Sequence, residues 1–243
     1  MNQDSKFTGS FPTTHWSVVL AAGHPSSPNA EAALAELCRL YWPPLYVFAR
    51  RLGHAPEDAQ DLTQGFFEHL LRVQLTAKAD AAKGKFRSFL LGAFKRFIGS
   101  EEARTRAQKR GGGKMLISCD VPQAEMRFLS ESMTHLSPEV LFDRYWALSM
   151  FEETLRLLET EFRQFGRAPL FDQLHPFLQG EANGLTYADA ARNLGTTEGT
   201  IRVTVSRMRQ RYRELLRSVL AMTLDSPHEV DDELEHLRAA LRA

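Results

Sequence analysis

The chain has 243 residues, 43% hydrophobic and 25% charged, and its 30 basic and 30 acidic side chains cancel at neutral pH. That composition suits a soluble globular protein of one or two domains and excludes a uniformly basic nucleic-acid binder. No run of about 18 apolar residues occurs, so no membrane insertion is expected, and two cysteines, Cys38 and Cys119, argue against a disulfide framework and for a cytoplasmic location.

Periodicity is helical almost throughout, and no stretch alternates strictly as a half-buried strand does. The expected fold is therefore all-α. The polar first ten residues lack the apolar stretch of a secretory signal. Thr13 or Thr14 can cap a first short helix through Trp16, Val19 and Leu20, and the turn-rich segment 23–29 follows. A second helix carries Ala33, Leu34, Leu37, Leu40, Tyr41, Leu45, Phe48 and Leu52 on one face. Pro43 and Pro44 should kink it or split it in two.

Gly53-His54 closes that helix, and Pro56 stands where a first-turn proline is tolerated. The next helix covers about 57–72, with Ala59, Leu62, Phe66 and Leu70 apolar. At 100° per residue, Asp58, Asp61, Gln64 and Glu68 fall together on another side as an acidic-polar stripe. Residues 57–82 have net charge −3, whereas 83–114 carry ten basic and two acidic side chains, net +8. A helix is expected over about 84–109, ended by Gly111-Gly112-Gly113. Its basic residues include Lys85, Arg87, Lys95, Arg96, Arg104, Arg106, Lys109 and Arg110, interleaved with Phe86, Phe89, Phe94 and Phe97. A solvated basic face over a phenylalanine core would leave the same pattern.

Residues 115–137 lack a strong period and read as a linker, with a short helix near 124–129. A long amphipathic helix over about 138–165 and a short one over 170–178 follow, and the span 115–181 has net charge −6. Residues 186–194, Gly195 and 197–220 form a helix, a turn and a helix. Thr186 with Asp189 has capping-box spacing, Gly195 suits a left-handed turn, and Thr196 or Thr197 can cap the second helix. Ile201 and Val205 should pack inward. Thr200, Arg202, Thr204, Ser206, Arg207, Arg209 and Arg211 then remain to face outward or sideways, where a helix entering the major groove needs donors and positive charge. Residues 182–224 have net charge +4, and the tail 225–243, with a last helix over about 229–241, has net charge −4. Two basic zones separated by acidic ones suit a polyanion touched at two places.

These residues resemble a family. Tyr187-Ala-Asp-Ala-Ala-Arg-Asn-Leu-Gly-Thr-Thr-Glu-Gly-Thr-Ile-Arg with Ser206-Arg-Met-Arg looks like the region 4 helix-turn-helix of bacterial extracytoplasmic-function sigma factors. Pro56-Glu-Asp-Ala-Gln-Asp-Leu-Thr-Gln-Gly-Phe-Phe looks like their region 2 signature, and Phe86-Arg-Ser-Phe-Leu-Leu with the following basic run looks like the promoter-melting segment. Order and spacing match over about residues 30–220. The resemblance implies a non-enzymatic specificity subunit with two partners, core RNA polymerase and promoter DNA. Asp58, Asp61, Leu62 and Gln64 would bind core polymerase. Lys85, Arg87, Lys95, Arg96, Arg104, Arg106, Lys109 and Arg110 would bind the minus-ten element, and Thr197, Thr200, Arg202, Ser206, Arg207 and Arg209 the minus-thirty-five element. An anti-sigma factor is a further partner of such proteins.

The implied organisation is an N-terminal extension with a short helix (1–28), a region 2-like helical domain (29–114), a linker (115–137), a region 4-like helix-turn-helix domain (138–222) and an acidic helical tail (223–243). The sequence departs from the family in four places. Gly65 stands where an acidic residue is usual, and Lys95-Arg96 replaces an Arg-Asn pair. A longer stretch, 151–184, precedes the helix-turn-helix, and the tail extends past the usual end. Intramolecular control, partner docking and no role at all are open for that tail.

No enzyme is expected. Gly111-Gly-Gly-Lys114 lacks Walker A spacing, the eight histidines form no metal-ligand pair, and no nucleophile triad can be argued from spacing. No cofactor or metal is expected. The competing reading is a helix-turn-helix regulator that binds duplex DNA without polymerase. Such a regulator does not need the 58–64 motif or the basic-aromatic block.

Overall fold

The computed structural model describes residues 30–72, 85–107, 124–126, 128–129, 135–179, 184–224 and 227–242. All regular structure among them is helical, without strands. The elements are α1 (Ala30–Arg51), α2 (Pro56–Arg72), α3 (Phe86–Ala107), α4 (Pro138–Gln164), α5 (Ala168–Leu174), α6 (Pro176–Gln179), α7 (Tyr187–Asn193), α8 (Glu198–Met222) and α9 (Val230–Arg242). The first short helix expected at 14–20, the turn segment 23–29, the glycine stop at 111–113 and Cys119 lie outside the described residues.

Pro43 and Pro44 do not split α1, which runs unbroken through both. Each proline removes one backbone hydrogen bond. The loss is offset by burial on either side: Leu40, Tyr41, Trp42, Leu45, Tyr46, Val47 and Phe48 are all buried. Leu52 departs from expectation. It sits in the turn after α1 and is 48% exposed, because the chain leaves the helical path before reaching it. Gly53 supplies the turn with φ near +99°, a conformation open to glycine.

In α2, Ala59, Phe66 and Leu70 are buried as the period requires. A Cβ at Gly65 would lie 3.4 Å from Phe97 Cζ, an ordinary van der Waals contact, so the space at this position does not by itself require glycine. The expected single helix over 170–178 is two, α5 and α6, divided at His175. Pro176 begins the second, since it has no N–H to continue the first.

Two hydrophobic clusters result. The larger joins α1, α2 and α3 to the first half of α4, the last turns of α8, and α9. The smaller joins Leu158, α5, Phe177, α7 and the first half of α8. The division falls within α4 and α8, which pass each other in opposite directions and belong to both clusters. Arg211 fixes that crossing with a two-point pair to Glu161, Nε to Oε2 at 2.9 Å and Nη2 to Oε1 at 2.6 Å. That pair holds the guanidinium above its usual range. Glu153, buried in α4, takes Arg156 at 2.8 and 2.5 Å and Arg39 of α1 at 3.4 Å. Within 115–137, residues 124–126 and 128–129 are helical and dock on α1. Tyr46 and Arg50 both donate to Glu125, and the Arg50 guanidinium lies 4.7 Å above the Phe128 ring.

Candidate nucleic-acid interface

The helix-turn-helix is built by local capping. Thr186 Oγ1 accepts from the Asp189 N–H at 3.1 Å, and Asp189 Oδ2 accepts from the Thr186 N–H at 3.0 Å. This capping box satisfies two of the amides that open α7. Its hydrogen bonds hold the Asp189 carboxyl below the usual carboxylate range. Ala190 and Ala191 are buried and let α8 approach. Gly195 turns the chain at φ near +63°. Thr197, not Thr196, caps α8, its Oγ1 accepting from the Thr200 N–H at 3.2 Å. Ile201 and Val205 are buried, as their spacing requires.

The outward face of α8 is then fixed by elimination. Gly199, Thr200, Arg202, Val203, Ser206, Arg207, Arg209 and Gln210 are all exposed. Four of the expected DNA-contacting side chains have local partners. Thr197 is spent on the cap, and its Oγ1 also lies 2.9 Å from Thr200 Oγ1. Arg202 donates to Glu198 at 3.0 Å and stacks 5.2 Å over the Tyr187 ring. Arg209 reaches sideways, its Nη2 donating to the Phe177 carbonyl at 2.9 Å. Thr200, Ser206 and Arg207 stand on the exposed side. Val203, 50% exposed at the middle of this face, was not singled out from sequence. An isolated valine carries no signal there until the inward positions are known.

On α3 the basic residues separate into two groups. Lys95, Arg96 and Arg104 are exposed. Lys95 pairs with Glu139 at 2.6 Å and holds that carboxyl below its usual range, and Arg104 pairs with Glu101 at 2.9 Å. Phe86 and Phe94 are core, whereas Phe89 and Phe97 are partly buried. Arg106 lies in α3, and Lys109 and Arg110 lie outside the described residues.

Arg87 is a correction to the surface role expected of it. It is 6% exposed and points inward. Its guanidinium lies 4.8 Å over the Trp146 ring, its Nε is 3.4 Å from Asp143, and it pairs with Glu233 of α9. Lys85 pairs with the same Glu233 carboxylate. Asp143 also stands 3.4 Å from His236 Nε2. Burial, followed by the charge of Arg87, lowers the imidazole pKa of His236. Burial likewise lowers Arg87 and Lys85.

On α2, Asp58 and Asp61 are exposed and Leu62 is half-buried beside them. Gln64 is a second correction. It is 5% exposed, so it does not share their surface, and its amide nitrogen has no hydrogen-bond partner among the described residues. Its angle on the helix wheel sits at the border of the core, where packing by neighbouring helices decides burial. Among the described residues no group of His, Cys, Asp and Glu is arranged to hold a metal, and no helix is long and apolar enough to cross a membrane.

Comparison with family models, curated proteins and solved structures finds no match to this chain.

Proposed function

We propose that the chain is a non-enzymatic, cytoplasmic sigma factor that joins core RNA polymerase and directs promoter recognition, strand opening and transcription initiation. The observation that carries this reading is the doubly capped helix-turn-helix, whose second helix exposes a face of Thr200, Ser206 and Arg207. Hydroxyls and a guanidinium on such a face suit phosphates and base edges in the major groove. Two further features support it. Asp58 and Asp61 present carboxylates on α2, which suits a basic patch on a polymerase and would speed association. α3 exposes Lys95, Arg96 and Arg104, cations that suit the backbone of an opened strand. An anti-sigma factor is the natural inhibitor of such a subunit.

The second reading, a regulator of duplex DNA without polymerase, draws on the burial of Gln64 and Arg87. Both are residues that the first reading would use. The two readings part on α2. Asp58→Arg and Asp61→Arg should each abolish co-elution with purified core polymerase while duplex binding by α8 stays unchanged. Equal loss of both activities, in chains that melt like the parent, overturns this division of labour.

A further inference from the structure

We propose that α9 is an intramolecular competitor for the phosphate backbone of single-stranded DNA at the Lys85–Arg87 segment. The inference rests on the reading of α3 as a nucleic-acid face. It begins with a carboxylate in the wrong place. The buried side of α9 is Val230, Glu233, Leu237 and Ala240, a helical spacing in which an apolar residue is expected at 233. Glu233 is instead 1% exposed. A buried carboxylate is costly unless cations meet it, and two do, the Lys85 ammonium and the Arg87 guanidinium. They come from the segment that opens α3, almost 150 residues earlier in the chain.

An ammonium and a guanidinium converging on one carboxylate are also the donors that grip a phosphate. Exchange of the Glu233 carboxylate for a backbone phosphate would keep both cations paired. Arg87 would also retain Asp143 at 3.4 Å and the Trp146 ring. What departs with α9 is the apolar packing of Val230, Leu234, Leu237, Ala240 and Leu241, the His236 contacts to Asp143 at 3.4 Å and to the Trp146 ring, and the exposed Arg217–Asp231 pair at 2.6 Å. A helix of 13 residues is marginal once undocked, so the exchange must offset the loss of this packing. A helix needed only for packing would hold as well or better with an apolar residue at 233 and its partners replaced. The retained charge makes the contact exchangeable, and the tail's six acidic against two basic residues oppose a second polyanion on the same surface.

The test uses the full chain and a fluorescein-labelled, mixed-sequence single-stranded DNA of 20 nucleotides. Fluorescence anisotropy should show Glu233→Gln binding it about fivefold or more tightly than the parent, as expected when a phosphate contact is freed. Adding Arg87→Gln to that variant should remove the gain. In the parent chain, the DNA should raise amide hydrogen exchange across 230–242, a readout that does not depend on any variant folding. Unchanged affinity in Glu233→Gln, or α9 amides indifferent to the DNA, overturns the proposal, as does absence of binding by both chains. Tighter binding by Glu233→Gln without transcripts from core polymerase would instead leave this inference standing and remove the sigma-factor reading. Transcripts with α9 indifferent to DNA would do the reverse.

Discussion

Trp146→Ala should lower the free energy of unfolding by about 3–5 kcal/mol, the range for truncating a fully buried indole. Trp146 is 0% exposed and sits where α1, α4 and α9 meet in the larger cluster. Two losses add. The cavity removes packing against neighbours that relax only in part. The Arg87 guanidinium loses the ring beneath it, a cation–π contact worth about 2 kcal/mol when desolvated. The measurement is the denaturant midpoint at constant slope. A shift equivalent to less than about 1 kcal/mol, an effect typical of surface substitutions, would mean that this junction is not the centre of the core. The Glu153 network offers an internal contrast. Arg39 is half-exposed and its 3.4 Å contact is long, so Arg39→Ala belongs near the low value of surface pairs.

Arg207→Ala should weaken binding to a selected minus-thirty-five duplex by about 1–3 kcal/mol, roughly 5- to 150-fold. Arg209→Ala should do much less, because its guanidinium is already held by the Phe177 carbonyl at 2.9 Å. Arg202→Ala should fall between them, since a DNA contact by Arg202 must first give up Glu198 and the Tyr187 ring. Sequence alone ranks these three arginines equally. The order Arg207, Arg202, Arg209 comes from their partners, and titration of each variant against one duplex at one salt concentration reads it directly. An Arg209→Ala loss as large as that of Arg207→Ala would mean that α8 meets DNA on a different side.

What was legible in the sequence is what depends on residues three or four apart. The Thr186–Asp189 box, the Gly195 turn, a cap at Thr196 or Thr197 and the inward Ile201 and Val205 all follow from local spacing, and the structure has them, with Thr197 as the cap. The start of α4 at about 138 was legible too, and the structure adds the Ser137 cap before Pro138. What was not legible depends on segments far apart in the chain. Arg87 reads as one more residue of a basic run until Glu233, Asp143 and Trp146 converge on it. Gln64 sits at the edge of a helix face, and burial there is set by its neighbours rather than its own period. The unbroken α1 is similar, because the cost of two prolines is local while the burial that offsets it comes from α4 and the rest of the cluster. The net charge of zero is of the same kind. Part of the cancellation is direct contact, with the tail's Glu233 on Lys85 and Arg87.

Run-off transcription with purified core RNA polymerase on a pool of promoter DNA tests the central claim most directly. The account predicts discrete transcripts only when the chain is added, and co-elution of the chain with core. No transcript from any template, with duplex binding intact and no co-elution, would contradict it and leave a DNA-binding regulator in its place.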